Sequence, residues 1–151
     1  MKALVLYHSQ EHGNTAAMAQ AVAEGLREAG ADVDLFNTNE GRFEVAHFAQ
    51  YDCAAFGSPD YYSYMAGNLK QFMDDHYIAD TRQGMTNIKN KPYALFYSHG
   101  GGGRVIEAMR AVFRHVGTLI GEPVGSRGYP NAETLEKCRA LGRALARAAS
   151  K

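Results

Sequence analysis

Ser9-Gln10-Glu11-His12-Gly13-Asn14-Thr15 follows an apolar run, Ala3 to Tyr7, and opens a long helical pattern. An apolar strand, a short hydroxyl- and glycine-containing loop and then a helix start make the geometry of an anion site. The first N–H groups of a helix have no partner within it, and the helix dipole favours negative charge there. Ser9 and Thr15 add hydroxyl donors, and Gly13 lets backbone approach a ligand closely. The loop holds neither Lys nor Arg, so any phosphate there rests on neutral donors and the dipole.

The chain continues outward from this loop as alternating strands and helices. Residues 2–8 read as a strand buried on both faces. Met18, Val22, Gly25, Leu26 and Ala29 share one face of a helix over 15–29, which Gly30 ends. Gly25 is expected where that helix packs close to a sheet. Residues 31–36 alternate like an outer strand, and 37–50 are mixed and polar, with one helical turn near Val45 to Phe48. A third strand, 51–57, stops at Gly57-Ser58-Pro59. Leu69, Phe72, Met73 and His76 then recur at helical spacing. Pro92 to Ser98 is a fourth strand, followed by His99 and four glycines at 100–103. Val105, Met109, Val112, Phe113, Val116 and Ile120 mark an amphipathic helix. Residues 122–128 read as a short fifth strand, and Leu135, Cys138, Leu141, Gly142 and Leu145 as the last helix. Alternation at this spacing predicts an α/β protein with a parallel sheet covered on both sides, in one domain over 1–151.

Composition excludes several classes. Lys+Arg and Asp+Glu are both 16, giving a formal net charge of zero; nothing in that balance calls for nucleic acid or an anionic membrane surface. No apolar run is long enough for a bilayer, and the N-terminus enters a strand pattern directly. Cys53 and Cys138 sit far apart in apolar contexts, which predicts two buried thiols and a cytoplasmic protein. No Cys and His spacing resembles a metal site, so no metal ligand is expected.

In an open parallel sheet, ligands bind at the carboxyl ends of the strands near the switch in strand order. Three loops lie at such ends. The first, 9–15, offers the anion site. The second, 58–66, offers Tyr61, Tyr62 and Tyr64, whose flat faces suit stacking on an aromatic ring. The third, 98–103, offers glycine backbone beside His99. A phosphate at one end and a planar ring held between two loops describe a flavin mononucleotide, FMN.

The three loops together resemble the flavodoxin-like flavoprotein superfamily over essentially the whole chain. The motifs are Tyr7-His8-Ser9…Gly13-Asn14-Thr15, Gly57-Ser58-Pro59-Asp60-Tyr61 and Ser98-His99-Gly100-Gly101. The Gly-Ser-Pro-x-Tyr element, followed by Met65-Ala66-Gly67-Asn68-Leu69-Lys70-Gln71-Phe72, is similar to the NAD(P)H:quinone oxidoreductase and multimeric flavodoxin branch. The resemblance implies a three-layer sandwich around a five-stranded sheet of order 2-1-3-4-5. It implies FMN as cofactor, held by Ser9, His12, Gly13, Asn14 and Thr15 at the phosphate. Ser58, Pro59, Asp60, Tyr61 and Tyr62 would serve the ring from one side, and Ser98, His99, Gly100, Gly101 and Gly102 from the other. The departure from the family lies in the phosphate loop. Gly13 stands four residues after Ser9 rather than three, so the loop is one residue longer, and Glu11 and His12 replace the usual small residues.

Among the site residues His99 is the candidate catalyst, able to hydrogen-bond the flavin or to move a proton; a solvent-exposed loop histidine is the plain alternative. His8 and His12 are expected to support the loop rather than to catalyse, and His76 and His115 to be structural. The expected function is electron transfer through FMN, with NAD(P)H as donor and a quinone-like molecule or a redox protein as partner. Electron-carrier flavodoxins are strongly acidic as a family, and zero net charge counts against a carrier of that type. The reductase branch is often oligomeric, so self-association would favour it. A receiver-type signalling domain would need acidic residues after strand one, where Tyr7-His8-Ser9 stands. A P-loop hydrolase would need Gly-Lys-Ser/Thr, which is absent.

Overall fold

The computed structural model describes all residues, Met1–Lys151. The elements run β1 (Lys2–Tyr7), α1 (Asn14–Glu28), β2 (Asp32–Asn37), a 3-10 turn (Val45–Gln50), β3 (Cys53–Pro59), α2 (Gly67–Thr81) and β4 (Lys91–His99). They continue as α3 (Val105–Phe113), β5 (Gly117–Leu119), β6 (Val124–Arg127) and α4 (Ala132–Ala149). Every strand pairing is parallel, in the order β2-β1-β3-β4-β5, with β6 also on β4.

Side chains alternate across the central strands, as strand geometry requires. Ala3, Val5, Tyr7, Cys53, Ala55, Ala94 and Phe96 face one core with α1 and α4. Leu4, Leu6, Ala54, Phe56, Tyr93 and Leu95 face the other with α2, α3 and the 3-10 turn. The second core is aromatic; Phe56 and Phe113 stack with ring centroids 4.3 Å apart. The first core is lined by small residues, and its two helices come close enough to touch backbone to backbone. A Cβ on Gly25 would stand 1.9 Å from the Arg139 carbonyl oxygen, and one on Gly142 would stand 2.2 Å from that of Val22. Gly25 therefore serves the crossing of α1 with α4 rather than contact with the sheet, which corrects the sequence expectation.

The sheet edge differs from expectation too. The fifth strand is two short segments on the same side of β4. β5 pairs with Lys91–Tyr93 and β6 with Phe96–His99. Between them Gly121 turns with φ 70°, and Pro123 has no N–H to continue the ladder. Val116 and Ile120, which continue the helical spacing of α3 in sequence, lie outside it. Gly117 forces the change: a Cβ there would meet the Lys91 carbonyl oxygen at 2.1 Å, so the chain at 117 is tucked against β4.

Both cysteines are buried free thiols, and burial pushes each up to about 12. No helix is long and apolar enough to cross a membrane.

His76 of α2 is buried, its Nε2–H donating to the Ile88 carbonyl at 2.8 Å. Burial is the main cause that lowers its basicity, against weaker opposing effects of the Ile88 bond and Asp80. A folded value below the unfolded one contributes stability that is complete above about pH 6.5 and is lost as pH falls through the folded value. Urea unfolding should therefore show stability falling below about pH 6.5, well above the window of Asp34, whose carboxyl the Tyr51 hydroxyl holds below the usual carboxylate range. In His76→Gln that slope should flatten; an unchanged slope would assign it to other groups.

Candidate functional site

The carboxyl ends of β1, β3, β4 and β6 share one edge of the sheet. Ser9–Thr15, Pro59–Tyr61, Ser98–Gly100 and Gly128 line a cleft of about 320 Å³ there. The three loops singled out in the sequence thus meet, and a fourth, after β6, joins them.

The first loop is held from beneath. The Asn37 side chain accepts the Ser9 N–H at 3.0 Å through Oδ1 and donates to the Ser9 carbonyl at 2.9 Å through Nδ2. Buried His8 is hydrogen-bonded through Nδ1 to the Thr38 hydroxyl at 2.9 Å and through Nε2 to Gln10 Oε1 at 2.7 Å. His8 supports the loop, as expected; Asn37, Thr38 and Gln10 were not legible as its partners. Gly13, with φ 77°, turns the chain into α1. No side chain caps that helix start and its first turn holds no acid, so its orphan N–H groups and dipole are left for another acceptor. Buried Thr15 reaches across to Ser98 of β4, hydroxyl to hydroxyl at 2.8 Å, joining the first loop to the third. Exposed Glu11 and His12 pair with each other at 3.1 Å.

The second loop is a tight turn. Tyr61 and Tyr64 exchange backbone hydrogen bonds of 2.9 and 3.1 Å. The two residues between them, Tyr62 and Ser63, have φ 56° and 63°, a left-handed conformation that costs a non-glycine residue about 1–2 kcal/mol. Asp60 fastens this turn. Its carboxylate accepts the Ser63 N–H at 2.7 Å and the Val105 N–H at 3.1 Å, and its own N–H donates to the Ser98 carbonyl at 2.8 Å. Tyr61 lines the cleft and meets His8 edge-on at 6.2 Å. Burial raises its hydroxyl, and the Glu11 charge adds to the effect. Tyr62 is fully exposed at the tip of the turn, outside the cleft lining. Ser58 is fully buried; its hydroxyl donates to the Pro59 carbonyl at 2.7 Å and accepts the Ala66 N–H at 3.0 Å, bracing the loop from below.

In the third loop His99 and Gly100 line the cleft, whereas Gly101 and Gly102 stand outside it, exposed. The His99 ring stacks on Tyr97 at 6.0 Å. Its Cδ2–Nε2 edge lies so near residue 103 that a Cβ there would come within 3.0–3.1 Å. Packing therefore fixes the ring. Its Nδ1 is the one buried side-chain nitrogen or oxygen in the molecule with no hydrogen-bond partner. Buried polar atoms are rarely left so without reason. Sequence reading missed Gln10, Glu11 and Gly128 as part of the lining. Gln10 and Glu11 stood inside the loop and carry no phosphate-binding pattern, and Gly128 lies beyond a strand whose bounds were blurred. No group of three or more His, Cys, Asp and Glu side chains is arranged to hold a metal.

Residues 5–142 match the Flavodoxin family. The chain belongs to it. The fold agrees: a solved structure of a flavodoxin from the domain Archaea superposes with a TM-score of 0.84 at 28% identity, covering 100% of both chains. An NAD(P)H dehydrogenase (quinone) of Archaeoglobus fulgidus is 29% identical over an alignment of 189 positions, which takes in 98% of this chain and 97% of the relative. An NAD(P)H dehydrogenase (quinone) of Rhizobium meliloti is 31% identical over 84% of this chain and 69% of its own length. As a flavodoxin-family protein, the chain has its switch in strand order at β1 and β3, which is where the cleft opens.

Proposed function

We propose that residues 1–151 act as one domain that binds FMN in this cleft and transfers electrons through it, with NAD(P)H as donor and a quinone- or flavin-type molecule as acceptor. One observation carries the reading: a single cleft brings the uncapped start of α1 together with Tyr61 of the second loop and His99 and Gly100 of the third. A ligand with an anion at the helix start and a planar ring between the second and third loops would fill it. Ser9, His12, Gly13, Asn14 and Thr15 would hold the phosphate. Pro59, Asp60 and Tyr61 would serve the ring from one side, with Ser58 as their brace and Tyr62 at the tip of the same turn, outside the lining. Ser98, His99 and Gly100 would serve it from the other, and Gly101 and Gly102 would complete that loop. Bound FMN would supply the hydride and electron chemistry. This chain's part is to orient the ring, limit water at one face, and hold or move a proton at the His99 imidazole. The names of the quinone dehydrogenase relatives support the donor and acceptor, and the two free thiols support a reducing, cytoplasmic setting.

A second reading, an electron carrier to a protein partner, draws on length. The alignment with the Archaeoglobus relative needs 189 positions against the 151 residues here, so that relative has segments this chain lacks. The archaeal flavodoxin matches end to end. Anaerobic addition of NADH or NADPH to the FMN-loaded protein separates the two. Rapid bleaching of the flavin absorbance is expected, followed by reoxidation with quinone. A bound flavin that ignores both nucleotides would make the protein a carrier. Dimers or tetramers in solution would favour the reductase.

A further inference from the structure

The phosphate loop departs from its family at Glu11 and His12, and both line the cleft. His12 Nε2 lies 3.1 Å from Glu11 Oε1, with both side chains mostly exposed. The loop has no Lys or Arg, and none lines the cleft, so His12 and His99 are the only lining side chains able to become cationic. Its two carboxylates are not equivalent. Asp60 is engaged by the N–H groups of Ser63 and Val105. Glu11 has only His12, and its charge is felt at the Tyr61 hydroxyl across the cleft. Glu11 therefore opposes a phosphate at the α1 start unless His12 carries its second proton.

On the reading that this cleft holds FMN, we propose that the Glu11–His12 pair is a proton-linked selector for the phosphate. With a doubly protonated His12 the pair is neutral, and the phosphate meets an imidazolium beside the helix N-terminus. With a neutral His12, the Glu11 carboxylate is uncompensated and the phosphate group gains little. FMN binding is then coupled to proton uptake at His12, and the preference for FMN over riboflavin, which lacks the phosphate, rises as pH falls. The other titratable groups facing the pair are Tyr61 and Asp60 from the second loop, His99 from the third, and His8 beneath the first. His8 has both ring nitrogens hydrogen-bonded, to Thr38 and Gln10. The ligand's own chemistry works in the opposite direction: its phosphate takes up a proton near pH 6 and so loses charge at a site that favours anions. Tighter FMN binding in acid cannot come from the ligand.

The test is a pair of fluorescence titrations, FMN and riboflavin, at about pH 6.5 and about pH 8, on the wild type, His12→Gln, His12→Lys and Glu11→Gln. Exposed charges at a helix start act with modest strength, so changes of about three- to fivefold are expected. FMN should bind the wild type that much more tightly at the lower pH. His12→Gln should lose this gain. His12→Lys and Glu11→Gln should bind FMN tightly at both pH values, and riboflavin affinity should stay within about twofold throughout. Equal shifts for FMN and riboflavin, or an FMN affinity unmoved by all three variants, would overturn the proposal while leaving FMN binding intact. Failure of the wild type to bind either flavin would overturn the underlying reading instead.

Discussion

Gly25→Ala should lower the stability of the protein by about 3 kcal/mol or more, at the upper end of what overpacking costs. The added methyl would stand 1.9 Å from the carbonyl oxygen of Arg139 and 2.9 Å from its Cα. Those are backbone atoms of a helix, so no side-chain rotation relieves the clash. The alternatives are to move α1 off α4 or to distort one of them. Separation would undo contacts of Val22, Leu26, Leu141 and Leu145, all in the core beneath these helices. The surface ion pairs of Arg139 with Glu24 and Arg143 with Glu28 across the same seam would part as well. In a chain of this size, a loss of about 3 kcal/mol lowers the melting temperature by roughly 6–12 °C. Gly67→Ala, at the first position of α2 with nothing within 4 Å of the new Cβ, is the control and should melt no lower than the wild type. Equal melting of the Gly25 variant and the wild type would show that the two helices are not locked together as described.

Asp60→Ala should weaken FMN binding by about 10- to 100-fold, because one carboxylate organises both ring loops. Hydrogen bonds to a charged group are worth about 1.5–3 kcal/mol, and this carboxylate holds two N–H groups, Ser63 in the second loop and Val105 at the start of α3. It also offsets the left-handed conformations of Tyr62 and Ser63. Without it the turn would relax and the loop before α3 would lose its anchor. Loss of a negative charge near an anionic ligand works in the other direction, but for a partly exposed group by about 1 kcal/mol or less, so the loss of order wins. Asp60→Asn keeps the shape and one acceptor and should fall between the wild type and the alanine variant. Flavin titration and thermal unfolding of the three proteins measure both consequences. Unchanged FMN affinity in Asp60→Ala would show that the two loops need no tether to hold the ring.

The parts of this fold legible in the sequence are those with a short-range signature. The run Ala3–Tyr7, the stop at Gly57-Ser58-Pro59 and the glycines after His99 placed three loops at strand ends, and the resemblance supplied the order β2-β1-β3-β4-β5 that brings them together. What stayed hidden depends on distant pairs. Gly25 could be read as a close approach, but its partner, Arg139, is more than a hundred residues away. Val116 and Ile120 keep the helical spacing of α3 but flank β5 and pack into opposite cores, and only the contact of Gly117 with Lys91 shows that the helix has ended. Asn37 holds Ser9 across the β1–β2 edge, and nothing near residue 37 announces it. Asp60 could be placed near the ring from the sequence, but not as the tether of Ser63 and Val105, because a carboxylate's backbone partners cannot be seen in one dimension.

The central claim is that this cleft is an FMN site, and direct titration of the ligand-free protein with FMN tests it. Saturable quenching of flavin fluorescence with one FMN per chain, weakened in Ser9→Ala combined with Thr15→Ala by a larger factor than riboflavin binding is weakened, is the result predicted. The absence of saturable binding, or equal weakening of both flavins, would contradict the assignment of the 9–15 loop and of the cleft it borders.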